Sequence, residues 1–195
     1  SWYMSAMADM STRQCVSPAT YPMGYHQFPY TQIVDVTWSH SLWFDHIYYI
    51  NLDRRPDRRA AMEKQLQKWH LSATRIAAVD GNTLKWTASY GIEGIYWNPR
   101  SLGYCMSYRK ALQDALDKGY EKILVLDDDA VFTDNFVEVL THAYKSLPKK
   151  WNMLYFGANH GENVPTEMLG GNLMRLKCSY SSHAIILHRR SYEHF

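Results

Sequence analysis

Cysteine is scarce in this chain, with only Cys15, Cys105 and Cys178 among 195 residues. An odd number sharing no metal-ligand spacing excludes a disulfide framework and reads as reduced thiols in a reducing compartment. Charge of one sign is also lacking. The formal excess is +2 and no long Lys/Arg run occurs, which argues against nucleic acid as a main partner. No apolar run approaches the length needed to span a bilayer, so no transmembrane segment is expected. The N-terminus lacks the basic-then-apolar pattern of a signal peptide, and the expected location is cytoplasmic. Internal repeats and low-complexity tracts are absent too.

The length allows one well-cored domain with an appended arm. Residues 1–45 are rich in Met, Tyr, Trp and Ser, carry Pro18, Pro22 and Pro29, and hold no sustained period. They read as an irregular N-terminal arm or extension whose aromatics pack on something. Residues 46–195 have a different texture. "HIYYINL" suits a buried strand. "RRPDRRAAMEKQLQKWHL" places Met62, Leu66 and Trp69 at helical spacing after a start near Pro56 and Asp57. "TRIAAVDG" is a second strand ending in a turn, and the aromatic stretch to Pro99 reads as a loop. "SLGYCMSYRKALQDALDKGY" aligns Leu102, Cys105, Leu112 and Leu116 on one helical face, with Cys105 in core packing, and stops at Gly119. The strand "KILVL" follows. A helix then runs from about Asn135, capped by Thr133 or Asp134 and ending before Pro148. "NMLYFG" and "HAIILH" are later strands. This alternation predicts an α/β domain with a mostly parallel sheet flanked by helices, and ligands gathered at the strands' carboxyl ends.

One such end is unusual. The strand "KILVL" closes in Asp127, Asp128 and Asp129. Two carboxylates about 5 Å apart repel by roughly 3 kcal/mol at an effective dielectric near 20. If the strand continues through the triplet, Asp127 and Asp129 share a face and Asp128 takes the other. A hard cation such as Mn²⁺ or Mg²⁺ relieves the repulsion and leaves positions for water and phosphate oxygens. The plainer alternative is an acidic turn with one Asp as a helix cap, but a cap needs only one acceptor.

A second cluster, "NLDRRPDRR", offers Arg54, Arg55, Arg58 and Arg59 beside the end of the first strand. Guanidinium forks match phosphate oxygens, and an anion would relieve arginines placed at the positive end of a helix. A solvated helix start with Arg–Asp pairs is the alternative. One cluster wants a cation and the other an anion, and a metal-bound diphosphate satisfies both. Three chemistries use an apolar strand ending in acids. Asp-based phosphatases and response-regulator receivers need those acids on the first strand. Here two strand–helix units precede the triplet, and no later acidic pair completes a phosphatase site, so nucleotide-sugar transfer fits best.

The ordered set "IYYINLDRRPDRR", "AAVDG", "LGYCMSYRKAL", "KILVLDDDAVF" and "SSHAIILHRRS" resembles glycosyltransferase family 25 over about residues 46 to 190. The resemblance implies a GT-A fold, a nucleotide-sugar donor that is usually UDP-linked, a saccharide or protein acceptor, and a divalent cation, commonly Mn²⁺. It places Asn51, Asp53, Arg55 and Arg58 in the first donor-side motif. Asp80 and Gly81 fall in the "VDG" turn, and Gly103 and Ser107 in a Gly-x-x-x-Ser element. Asp127, Asp128 and Asp129 occupy a Glu-Asp-Asp triplet. The expected roles are metal ligation by Asp127 and Asp129, and a supporting or ribose-side role for Asp128. The chain departs from the family at Asp127, Tyr104 and Tyr108, where Glu, Cys and His are usual. Family members also continue further on the acceptor side, so the domain is expected to be a shortened form or part of a longer protein.

An inverting transfer needs a carboxylate base. Glu162, Glu167 and Asp134 are available, none within a telling motif. His183 is either a further metal ligand or simply the residue that starts a strand. His160, Trp86, Tyr90, Tyr96 and Trp97 are open to a substrate-facing or a loop-packing role. The alternative function is a nucleotide-sugar-binding domain without turnover, and less favoured still is an Asp-based phosphatase.

Overall fold

A computed structural model describes residues 4–7, 43–85, 98–157, 166–170, 173–176 and 183–194. Cys15, Cys178, His160, Glu162, Trp86, Tyr90, Tyr96 and Trp97 lie outside the described residues. The elements in chain order are β1 (Met4–Met7), β2 (His46–Asn51), α1 (Pro56–Lys68), β3 (Thr74–Ala77), α2 (Pro99–Asp117), β4 (Lys122–Asp127), α3 (Phe136–Ser146), β5 (Met153–Gly157), β6 (Thr166–Gly170), β7 (Leu173–Leu176) and β8 (Ala184–His188). They form one sheet in the order β3-β2-β4-β8-β5-β1-β7-β6.

Strands β3, β2 and β4 pair in parallel, and β8 runs against both β4 and β5. Four of the five strands β3-β2-β4-β8-β5 therefore point the same way, as the α/β alternation predicted. Both faces of this part are covered, which explains the nearly unbroken apolar runs of β2 and β4. Ile47 and Tyr49 of β2, with Leu124 and Leu126 of β4, pack with Met62 and Leu66 of α1 and Val139 and Leu140 of α3. The alternate residues Tyr48, Ile50, Ile123 and Val125 pack against Tyr108, Ala111 and Leu112 of α2. Helices thus lie on opposite faces. The chain steps from β2 to β3 on one side, then crosses back over β2 to β4. The point of reversal opens a crevice beyond the carboxyl ends of β2 and β4.

Several sequence expectations need correction. The core begins before His46, because Trp43 and Phe44 are buried in it. Within the arm, Met4–Met7 is a strand, antiparallel to β5 and parallel to β7. The inward face of α2 is Gly103, Ser107, Tyr108, Ala111, Leu112 and Ala115. Only Leu112 of the four predicted residues is fully buried, and Leu116 is exposed. Small side chains let the helix sit close to its neighbours, and a reading weighted by bulk misses such a face. Cys105 is a half-buried free thiol, held above its usual range by burial. Neither Thr133 nor Asp134 caps α3. The cap position is Asn135, which makes no side-chain cap bond, and Asp134 reaches Lys68 at 2.8 Å instead. Gly119 does follow α2 at a φ of 74°, as its C′ role requires.

Candidate functional site

The crevice is a cleft of about 390 Å³, within the range for small-molecule sites. Its walls include Arg54, Arg55 and Arg58 from the β2–α1 junction, and Asp80, Gly81 and Asn82 from the turn after β3. Arg100, Tyr104 and Ser107 of α2 add a further wall, and Asp127, Asp128 and Asp129 stand at the end of β4. The two clusters that the sequence separated by about 70 positions are one site.

The triplet does not continue as a strand. β4 ends at Asp127, and the Ala130 N–H donates to the Asp127 carbonyl at 3.1 Å, turning Asp128 and Asp129. Face alternation therefore does not decide their roles. Environment does. Asp127 is pushed up to about 7, by burial first and then by the charges of Asp129 and Asp128. The carboxylate of Asp128, only 11% exposed, accepts from Asn51 Nδ2 at 2.6 Å and from Arg58 at 3.1 Å. Asp129 is 54% exposed and meets the same arginine at 2.8 Å. All three border the cleft: Asp127 is largely buried, Asp128 is tied to Asn51 and Arg58, and Asp129 is the most exposed.

Other predicted donor residues divide in the same way. Asn51 is buried and wholly engaged, accepting from Arg75 Nε at 3.0 Å as well as donating to Asp128 and to the Arg55 carbonyl. Asp53 is an exposed partner of Arg75. Arg75 was missed in the sequence; one arginine inside a strand gives no signal until its partners are known. Asp80 accepts from the Asn82 N–H at 2.9 Å and from Arg54 at 2.8 Å, and these contacts hold its carboxyl below the usual range. Arg55 forks onto Asp57. Ser107 borders the cleft, yet its hydroxyl accepts from the Val79 N–H at 2.8 Å and donates to the Gly103 carbonyl at 2.6 Å. That is a structural role.

Gly81 and Gly103 explain their motifs sterically. A Cβ on Gly103 would stand 2.5 Å from the Val79 carbonyl oxygen, and one on Gly81 would stand 2.2 Å from that of Pro99. The "VDG" turn and α2 are pressed together there. His183 meets Asp127 through the backbone, its carbonyl accepting the Asp127 N–H at 2.9 Å, and it is not among the cleft-lining residues. Of the three candidate bases, the two within the described residues lie elsewhere. Asp134 pairs with Lys68, and Glu167 pairs with Arg175 on the β6–β7 hairpin. β6 lies five strands from β4, roughly 24 Å across the sheet.

A Rossmann-like, GT-A-like α/β domain with paired cationic and anionic groups at its switch point is the class that fold and site define. The sequence profile of glycosyltransferase family 25 (LPS biosynthesis protein) matches residues 44–185. The chain belongs to that family. It is similar to the inactive glycosyltransferase 25 family member 3 of Mus musculus, at 30% identity over 146 residues, covering 66% of this chain and 25% of that one. Procollagen galactosyltransferase 2 of Mus musculus is 28% identical over 148 residues, covering 68% and 24%. Its Homo sapiens counterpart is 30% identical over 129 residues, covering 58% and 21%. The chain spans about a quarter of the length of these relatives. Among the described residues, no helix is long and apolar enough to cross a membrane.

Proposed function

We propose that the cleft binds a nucleotide-diphosphate sugar together with a divalent cation and transfers the sugar to a hydroxyl of a glycan or protein acceptor. The observation that carries this reading is Asp127, a carboxylate driven up to about 7 beside two more carboxylates in a cleft lined by arginines. Arg58 offsets part of that crowding, and a cation bound there would offset more. Names of relatives as galactosyltransferases favour a UDP-linked hexose, with UDP-galactose or UDP-glucose as the donor.

The donor set fits Mn²⁺ or Mg²⁺. Among the described residues no three His, Cys, Asp or Glu side chains form a metal cage. An ion that retains waters and shares phosphate oxygens needs only one or two carboxylates. Asp127 and Asp129 would supply them. Such an ion, when bound, neutralises charge on a departing diphosphate. Asn51 and Arg58 fix Asp128, and through it the turn that aims Asp127 and Asp129. Arg55 or Arg58, both in the cleft lining, would add positive charge at the diphosphate as the glycosidic bond breaks.

A second reading, donor binding without turnover, is favoured by the acids. Neither Asp134 nor Glu167 lines the cleft, and several similar proteins are named "inactive" or "probable inactive". The test is to incubate the protein with Mn²⁺ and a panel of UDP- and GDP-sugars, following binding heat, donor hydrolysis and transfer. Metal-dependent binding with sugar release supports transfer. Binding with neither release nor transfer selects the second reading. Absence of binding refutes both, and phosphate release from an aryl phosphate with Mg²⁺ would identify a phosphatase.

A further inference from the structure

Four arginines line the cleft, and three are committed to carboxylates of the protein itself. Arg54 pairs with Asp80, Arg55 with Asp57, and Arg58 with Asp128 and Asp129. Arg100 is the exception. It is exposed, and among the described residues its guanidinium forms no ion pair. We infer that Arg100 is the arginine that receives the donor's diphosphate. This rests on the cleft being the donor site.

Its placement supports the role independently of its sign. Arg100 lies in the first turn of α2, which contains no acidic residue. The positive end of the helix and the side chain therefore add, and among the described residues no carboxylate pairs with the guanidinium. The backbone there is closely packed. An added Cβ at Gly81 would stand 2.6 Å from the Arg100 Cα, so the backbone that carries the arginine is pressed onto the Asp80–Gly81 turn. Asn98 closes the same helix end, its side chain accepting from the Ser101 N–H at 2.9 Å. Arg100 thus extends from α2, while Asp127 and Asp129 stand at the end of β4 on another wall of the same cleft. A diphosphate bridging the two would meet a cation-ready side and a guanidinium side. Recruiting Arg54, Arg55 or Arg58 requires breaking an internal pair; among the described residues Arg100 has no such pair to break.

The test is calorimetric titration of wild type, Arg100→Ala and Arg100→Lys with UDP and with GDP in the presence of Mn²⁺, at low and high NaCl. Arg100→Ala should bind the preferred nucleotide about tenfold or more weakly. Its affinity should also depend less steeply on salt, because one cation is gone. Arg100→Lys should recover part of both. Thermal unfolding should be unchanged, since the side chain is exposed. If wild type binds neither nucleotide, the donor-site reading falls and this inference with it. If wild type binds and Arg100→Ala matches it in affinity and salt dependence, the donor site stands and the assignment of Arg100 is overturned.

Discussion

The buried amide of Asn51 and the carboxylate of Asp128 lie 77 positions apart in the chain and 2.6 Å apart in space, Nδ2 donating to Oδ2. Asn51 also holds the Arg55 carbonyl and Arg75, so one side chain joins the ends of β2 and β4 to the start of α1. Asn51→Ala leaves a mostly buried carboxylate short of a donor. The expected cost is about 2 kcal/mol, read as a lower urea midpoint with an unchanged slope. Weaker Mn²⁺-dependent nucleotide binding should accompany it, because the turn bearing Asp129 loses its anchor.

Asp127→Asn should act in the opposite direction on the metal-free protein. Burial and the neighbouring Asp129 and Asp128 push the folded carboxyl up to about 7, above its unfolded value near 3.9. The native state holds the proton more tightly across that window. Stability is therefore fully present below about pH 4 and lost as pH rises toward 7. Above pH 7 the penalty is on the order of 4 kcal/mol, and the asparagine does not carry it. In EDTA, the variant should melt near wild type at pH 4 and clearly higher at pH 8. Equal melting at pH 8 would mean that Asp127 is not strained by burial and its neighbours.

These two residues show how the sequence could and could not be read. The layered α/β order and the acidic and arginine-rich clusters were visible because strand and helix periods, strand-end acids and an arginine-rich first turn are local signals. What Asn51 does was not, since an asparagine at a strand end looks the same whether it faces a ligand or holds a carboxylate from 77 positions away. The α2 face was misjudged for a related reason. Gly103, Ser107 and Ala111 contribute by being small, and their value appears only once the turn at Gly81 is seen against them. Arg75 and Arg100 were overlooked because a lone arginine has meaning only through its partners or their absence.

Gly103→Ala tests that close approach. Its Cβ would stand 2.5 Å from the Val79 carbonyl oxygen and 2.9 Å from the Gly81 nitrogen, contacts with backbone that cannot rotate aside. Forcing the turn away from α2 should cost about 1–3 kcal/mol and reshape the cleft wall, lowering both the melting temperature and nucleotide affinity. Ser107→Ala should behave differently. It removes the Val79 bond without adding bulk, and leaves that N–H unpaired, for about 1–2 kcal/mol. Nucleotide affinity should hold within a few-fold at temperatures where the variant is folded. A complete loss of binding by a folded Ser107→Ala would return Ser107 to the donor contacts.

Asp129 and Asp134 make the sharpest comparison, because both are exposed acids beside a cation and only one lines the cleft. Asp129 meets Arg58 at 2.8 Å and Asp134 meets Lys68 at 2.8 Å, with side chains 54% and 91% exposed. Surface pairs of this kind contribute under about 1 kcal/mol, so neither Asp129→Asn nor Asp134→Asn should disturb the fold. Their effects on binding should nevertheless separate. Asp129→Asn removes one of the two carboxylates proposed to hold the cation, and titration with a UDP-sugar should no longer respond to Mn²⁺. Asp134→Asn should bind donor as wild type does, and any transfer rate should be unchanged. Retained Mn²⁺ dependence in Asp129→Asn would remove Asp129 from the metal site. Loss of transfer in Asp134→Asn would show that this acid reaches the acceptor in a conformation where its pair with Lys68 is broken.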